Sequence, residues 1–329
     1  MRNIAVTGAE GFIGSHLVEG LVERGDRVRA LVQYNSFSSR GWLDTLAPST
    51  LEHVDVVFGD VRDRGQMMRF VDGVGGVCHL AALIAIPYSY VAPESYLATN
   101  AIGTMNVLEA VRHHRTPRLV HTSTSEVYGT ARTVPIAESH PLQAQSPYSA
   151  SKIAADKLAE SYHLSFDLPV VTLRPFNTYG PRQSARAVIP TVVSQVASGQ
   201  RVIRLGSTSP TRDFNYVGDT VDAFIALLDG PDTVLGGVFN AGSGREVSIG
   251  ETVHMIAAAM GVEVRIDCEA ERVRPAHSEV QRLLADAGAL HVATGWKPRT
   301  CLEDGLAVTV DWFSRPENLA HYRPDTYQI

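Results

Sequence analysis

Three glycines at the joint between a strand and a helix set the frame for this chain. Gly8-Ala9-Glu10-Gly11-Phe12-Ile13-Gly14 follows the apolar run Ile4-Ala5-Val6, and it opens a segment in which Phe12, Ile13, Leu17 and Leu21 recur at helical spacing. A tight glycine turn lets the backbone approach phosphate oxygens. The free N–H groups and positive dipole end of the helix that follows favour a diphosphate. The spacing is G-x-x-G-x-x-G rather than the commoner G-x-G-x-x-G. Gly8, Gly11 and Gly14, with Phe12 and Ile13 between them, are therefore the first candidates for holding a dinucleotide.

The first half of the chain alternates strand and helix patterns, as a parallel sheet with crossover helices requires. After the glycine loop come strand patterns at Val28–Val32, Val54–Phe58, Gly76–Ala82, Arg118–Ser123 and Val170–Leu173, with long helix patterns near Glu94–His114 and Pro147–Ser165. Six strands fit a doubly wound α/β fold of the Rossmann type. Beyond Arg174-Pro175 the rhythm changes, with prolines and glycines clustering between 175 and 210. The expected organisation is a dinucleotide-binding part over 1–174 and a smaller substrate-binding α/β part over 175–329, with 213–241 returning to the first part as a helix and a strand.

Tyr148-Ser149-Ala150-Ser151-Lys152 places a phenol and an ammonium one helical turn apart on the same face. A neighbouring ammonium stabilises a phenolate, which can take a proton from a sugar hydroxyl. Among 329 residues there are 11 tyrosines and only 3 lysines, so chance supplies roughly 0.1 such pairs. An ordinary ion-spaced pair on a solvated helix is the weaker reading. At the end of the fifth strand lies Thr122-Ser123-Thr124-Ser125-Glu126, where ligands of open α/β sheets bind. Thr124 offers a hydroxyl to the oxygen being oxidised, and Glu126 offers a carboxylate that is costly to bury without a role. Thr122 and Ser123 are equally well explained by turn chemistry.

Together with Asp60, His79-Leu80-Ala81-Ala82 and Arg174-Pro175-Phe176-Asn177-Thr178-Tyr179-Gly180-Pro181, these motifs cover most of the chain. The set resembles the extended short-chain dehydrogenases/reductases, in particular the NAD-dependent epimerase/dehydratase family acting on nucleotide sugars. Thr-Ser-Glu is similar to GDP-mannose-type 4,6-dehydratases and UDP-glucuronate decarboxylases, and Tyr-Ser-Ala-Ser-Lys is more like the dehydratases. Tyr34-Asn35-Ser36-Phe37, Gly41-Trp42-Leu43-Asp44 and Ile86-Pro87-Tyr88-Ser89-Tyr90 look like the amino-sugar 4,6-dehydratases of legionaminic-acid-type pathways. The resemblance implies that Tyr148 removes the 4-hydroxyl proton while Glu126 takes the C5 proton before water leaves C6. Ser125 stands where an aspartic acid often protonates the leaving group, so Glu126 would serve as base and acid. Decarboxylation, then 4-epimerisation, are the rival reactions, and a dinucleotide-sensing regulator is the non-enzymatic one.

The acid that usually receives the adenosine ribose about twenty residues past the glycines is missing, because Val32, Gln33 and Tyr34 occupy its place. Gln33, Asn35 and Ser36 remain as ribose or phosphate contacts, and Arg40 is the nearest arginine. NAD is favoured over NADP. The family likeness adds Asp60, Val61, Leu80, Ala81 and Ala82 on the cofactor side. For the substrate diphosphate, cations and N–H donors are needed; Tyr88, Asn177, Arg186, Arg212 and Arg274 are the candidates. The long helices near 94–114 and 147–165 carry apolar residues on more than one side, and in the family the spare face builds a homodimer bundle.

Composition limits the rest. A net charge of −6 with scattered arginines gives no basic face for nucleic acid. Cys78, Cys268 and Cys301 show no C-x-x-C spacing, and no histidine spacing suits a metal. The apolar run Leu80–Ile86 is too short to span a bilayer. With a strand already under way at residue 4, a signal peptide is not expected, and a reducing cytoplasm is.

Overall fold

The computed structural model describes residues 1–324 and 326; positions 325 and 327–329, the end of the expected second part, lie outside the described residues. Seven parallel strands form the central sheet: β1 (Asn3–Thr7), β2 (Arg27–Gln33), β3 (Val54–Gly59), β4 (Gly76–His79), β5 (Leu119–Thr122), β6 (Val170–Pro175) and β7 (Val238–Ala241). Their order is β7-β6-β5-β4-β1-β2-β3. Val6 pairs with Ala30 on one side and with Cys78 on the other, so the strand order reverses at β1. A ligand crevice is expected beyond the carboxyl ends of the strands at such a reversal.

Both faces of the sheet are covered, which is why its strands read as near-continuous apolar runs. On one face α1 (Phe12–Glu23) and the later helix Val217–Leu228 bury Leu17, Leu21, Val221, Phe224 and Leu227 against it. On the other, Met67, Val107, Leu108, Val111 and Ala159 pack beneath the helices Arg64–Val71, Gly103–His114 and Pro147–Phe166. A third apolar cluster, including Ile189, Val192, Ile203, Phe214, Ile256 and Phe313, lies among later residues.

Two sequence expectations need correction. The fourth strand ends at His79 rather than Ala82, because the Thr7 hydroxyl accepts from both Leu80 N and Ala81 N at 3.1 Å and turns the backbone out of the ladder. The helix expected over 94–114 begins at Pro93 and widens into a π segment at Leu97–Ile102 before resuming at Gly103. There Thr104 Oγ1 donates to the Asn100 carbonyl at 2.6 Å. The Asn100 amide meanwhile pairs with both backbone groups of Leu83 and donates to Ser151 Oγ at 2.9 Å. Side-chain insertion into the ladder is a sufficient cause for such a bulge. The helix Val217–Leu228 packs on α1, and the strand that follows adds β7 beside β6.

Candidate active site

The glycine loop is built for close approach. Gly8 has φ +68°, and a Cβ there would lie 2.8 Å from Ala81 N. At Gly14 a Cβ would fall 2.1 Å from the Gly8 carbonyl oxygen. Gly11 caps α1 without a side-chain bond, which leaves its first N–H groups for a ligand. The loop therefore abuts Leu80-Ala81 across the switch point, and a diphosphate fits this cradle. Half-buried Phe12 and Ile13 begin α1, Val61 is buried, and Ala82 lies just past the turned-out end of β4.

On the outer side, some expected contacts are already engaged. Asn35 gives its amide to Gln33 O and Ser39 O and receives Phe37 N and Ser39 N, so it holds its own loop together. Asp60 is gripped by Arg62 through Nε and Nη2, which holds its carboxyl below the usual range. Gln33 and Ser36 are exposed.

The helix Pro147–Phe166 starts with Pro147 at its first position and a reciprocal Ser146/Ser149 capping box, which fixes Tyr148 within the first turn. Tyr148 is 7% exposed and meets Tyr96 edge-on at 6.2 Å. Burial pushes its phenol well up, hydrogen bonding with Thr124 pulls it back, and the nearby Glu126 carboxylate pushes it further up. Lys152 is buried and donates from Nζ to Thr122 O at 2.6 Å. Burial lowers it to about 8, against a smaller opposing pull from Asp156. Thr124, Glu126 and Tyr148 are thus gathered at one strand end. Thr124 Oγ1 also caps the short 3₁₀ turn Ser125–Tyr128, which carries the buried Ser125 and the half-buried Glu126.

Behind Lys152 sits a group that the sequence did not reveal. Asp156 continues the Tyr148–Lys152 face by one more turn. It accepts from Ser123 Oγ at 2.8 Å and from Arg174 Nη2 at 2.9 Å, and it faces His121 Nε2 at 3.3 Å. Arg174 in turn donates to Tyr128 OH, which donates to Asn240 on β7. Its only sequence signal was a second acid at i+4 from Lys152. Ser123, left open above, is committed to this network.

On the substrate side, Arg212 is 6% exposed and donates to Glu279 Oε1 at 3.1 Å, with Arg274 3.5 Å from the same oxygen. Burial lowers the Arg212 guanidinium, and the strongest opposing influence is the Glu126 carboxylate. Arg212 thus shares the crevice with the proposed base. Asn177 Oδ1 is buried without a hydrogen-bond partner, as expected of a side chain awaiting a ligand. Tyr88 is 41% exposed and tilts against Tyr96 at 6.3 Å; Arg186 is exposed and within electrostatic reach of Tyr96. The bridging role of Glu279 was not legible, since it lies 67 residues from Arg212. Among the described residues no cluster of three or more His, Cys, Asp or Glu could hold a metal, and no helix is long and apolar enough to cross a membrane.

A nucleotide-loop fold with a Tyr–Lys helix and an acid at the fifth strand end is the frame of a class of NAD-dependent enzymes, and the comparisons agree. The model of the family described as GDP-mannose 4,6 dehydratase matches residues 5–309. The chain is 34% identical to a dTDP-glucose 4,6-dehydratase of Actinoplanes sp., covering 94% of this chain and 97% of that one. It is 33% identical to a UDP-glucose 4-epimerase of Mycolicibacterium smegmatis, covering 95% and 98%. The crystal structure of the dTDP-glucose 4,6-dehydratase DesIV from Streptomyces venezuelae, with NAD and TYD bound, superposes with a TM-score of 0.87 at 30% identity, covering 98% of this chain and 99% of that one. This chain belongs to the NAD-dependent epimerase/dehydratase family, within its GDP-mannose 4,6-dehydratase-like group.

Proposed function

We propose that this enzyme is a nucleotide-sugar 4,6-dehydratase that uses NAD and yields an NDP-4-keto-6-deoxy-hexose. The observation that carries the reading is Glu126, a half-buried carboxylate in the turn after the fifth strand, within electrostatic reach of Tyr148 and Arg212. A 4-epimerase has no carbon-bound proton for it to move. The cradle of Gly8, Gly11 and Gly14 suits the cofactor diphosphate, and Asn177, Arg212 and Arg274 suit that of the substrate. Bound NAD would accept hydride from C4 and return it to C6 at the end. Tyr148 takes the proton of the 4-hydroxyl, and the Thr124 hydroxyl bonds the same oxygen. The 4-ketone acidifies C5–H, so Glu126 removes that proton and delivers it to the C6 hydroxyl, which leaves as water; with hydride back on C6, C5 takes a proton from solvent by way of Glu126. Ser125 is a poor acid, which leaves both transfers to Glu126.

The test is to incubate the protein with a panel of nucleotide sugars and weigh the products. Loss of one water supports the dehydratase. Loss of carbon dioxide would identify a decarboxylase, and a mass-neutral isomer an epimerase. Tight NAD binding without turnover would favour a sensor. In D2O, Glu126→Gln should abolish both water loss and deuterium entry at C5; deuterium entry at the wild-type rate would remove Glu126 from its role. We further propose a homodimer, supported by exposed Leu97 and Ile102 on one long helix and Leu164 and Phe166 on the other.

A further inference from the structure

The end of β2 lacks the acid that would receive the adenosine ribose, yet a carboxylate stands there. It comes from the glycine loop itself. Glu10 Oε1 accepts from Gln33 N, the last residue of β2, at 2.9 Å in an exposed part of the surface. Glu10 Oε2 is buried and has no hydrogen-bond partner. The residue is clamped in place, because Trp42 N donates to Glu10 O at 3.0 Å. Gly41, at φ +57°, packs so closely that a Cβ there would lie 2.7 Å from that same carbonyl oxygen.

Resting on the dinucleotide reading above, we infer that Glu10 replaces the missing acid: its carboxylate receives the vicinal hydroxyls of the adenosine ribose and excludes a 2′-phosphate. A carboxylate oxygen has room for a second donor beyond Gln33 N, and the unpaired Oε2 lacks one altogether. Ribose hydroxyls supply what burial has withheld from this group, whose carboxyl burial pushes above its usual range. A 2′-phosphate would instead bring a second negative charge against a partly desolvated carboxylate.

The arginines that follow β2 and β3 each pair with an acid close in sequence, so a 2′-phosphate would have to compete with that acid. Arg40 donates from Nε to Asp44 Oδ1 at 2.7 Å, and its backbone N–H goes to Asp44 Oδ2. Arg62, just past β3, grips Asp60 with Nε and Nη2. Acids hold both of these arginines.

The experiment is equilibrium binding of NAD, NADP and 2′-deoxyadenosine NAD to the full chain stripped of cofactor, with no substrate present. The wild type should bind NAD at least ~30-fold more tightly than NADP, and the 2′-deoxy analogue about tenfold more weakly than NAD. Glu10→Gln keeps an acceptor for Gln33 N but removes the charge, and it should narrow the NAD/NADP ratio by about tenfold. Glu10→Ala should weaken NAD itself. Equal wild-type affinities for NAD and NADP, an undiminished 2′-deoxy analogue, or an unchanged ratio in a folded Glu10→Gln would overturn the inference while leaving the dinucleotide reading standing. If the wild type binds neither dinucleotide, the reading falls and the inference with it. The 2′-deoxy measurement uses only wild-type protein, so a variant that does not fold leaves the test intact.

Discussion

Tyr148 and Lys152 show how one helical turn combines a chemical and a thermodynamic burden. Tyr148→Phe removes only the hydroxyl, so the fold and NAD binding should persist while turnover falls by about 10³-fold. Single-turnover assays and a binding titration check the two halves separately. Lys152 sits at about 8 in the fold against 10.5 when free. The sign follows directly: below pH 8 the fold carries a buried ammonium at about 3 kcal/mol, and this burden lightens as pH rises from 8 towards 10.5. Lys152→Met should therefore raise the melting temperature at pH 7 while abolishing turnover, and its advantage should shrink by pH 9.5. A variant less stable than wild type at pH 7 would show that the Lys152–Thr122 bond and Asp156 outweigh burial. Tyr148, Lys152 and Glu126 stand out in the sequence by residue type and spacing, and the structure brings Tyr148 and Glu126 together at one strand end, with Lys152 bonded to that strand. Asp156 and Glu279 were not legible, since each acts through partners distant in sequence.

At the scale of elements, the crevice depends on one strand end being turned away from the sheet. Thr7 is wholly buried; its hydroxyl accepts from Leu80 N and Ala81 N and lies 2.7 Å from His79 Nδ1. Thr7→Val keeps the shape and takes the hydroxyl from Ala81 N and His79 Nδ1, while Leu80 N keeps the Thr7 carbonyl at 3.1 Å, so the cost is about 1–3 kcal/mol. Denaturant unfolding should read that loss, together with weaker NAD binding as Ala81 shifts against Gly8. Gly14→Ala makes the complementary prediction. A Cβ 2.1 Å from Gly8 O cannot be absorbed by a side-chain rotation, so dinucleotide binding should disappear even where the sheet survives. The six strands read from sequence all form because each apolar run is short and bounded by turn residues. The far end of β4 was misplaced because Leu80-Ala81-Ala82 is as apolar as a strand, and only a side chain from a neighbouring strand decides otherwise. The π segment was equally hidden, since its cause is Asn100 bonding across to Leu83 and Ser151.

For the molecule as a whole, the open question is what covers the two long helices. Their inner faces carry Val107, Val111 and Ala159 into the core. Their outer faces leave Leu164 75%, Leu97 51% and Ile102 47% exposed, and Arg112 stacks on the half-exposed Phe166 ring at 3.9 Å. Apolar side chains exposed at both ends of a pair of adjacent helices suit an association surface that runs along the pair. The homodimer proposed above would cover it with a self-complementary two-fold contact. The site-forming end of Pro147–Phe166, with Tyr148 and Lys152, is distinct from its Leu164 end, whereas Ile102 lies in the π segment whose Asn100 bonds Ser151 beside Lys152. Sedimentation should give twice the 35.6 kDa chain mass for the wild type. Ile102→Glu combined with Leu164→Glu should give the single chain mass with little loss of intrinsic fold stability, because exposed positions tolerate charge. A wild type that sediments as a single chain would remove the dimer. If the double variant stays dimeric, the contact lies on another face of the molecule.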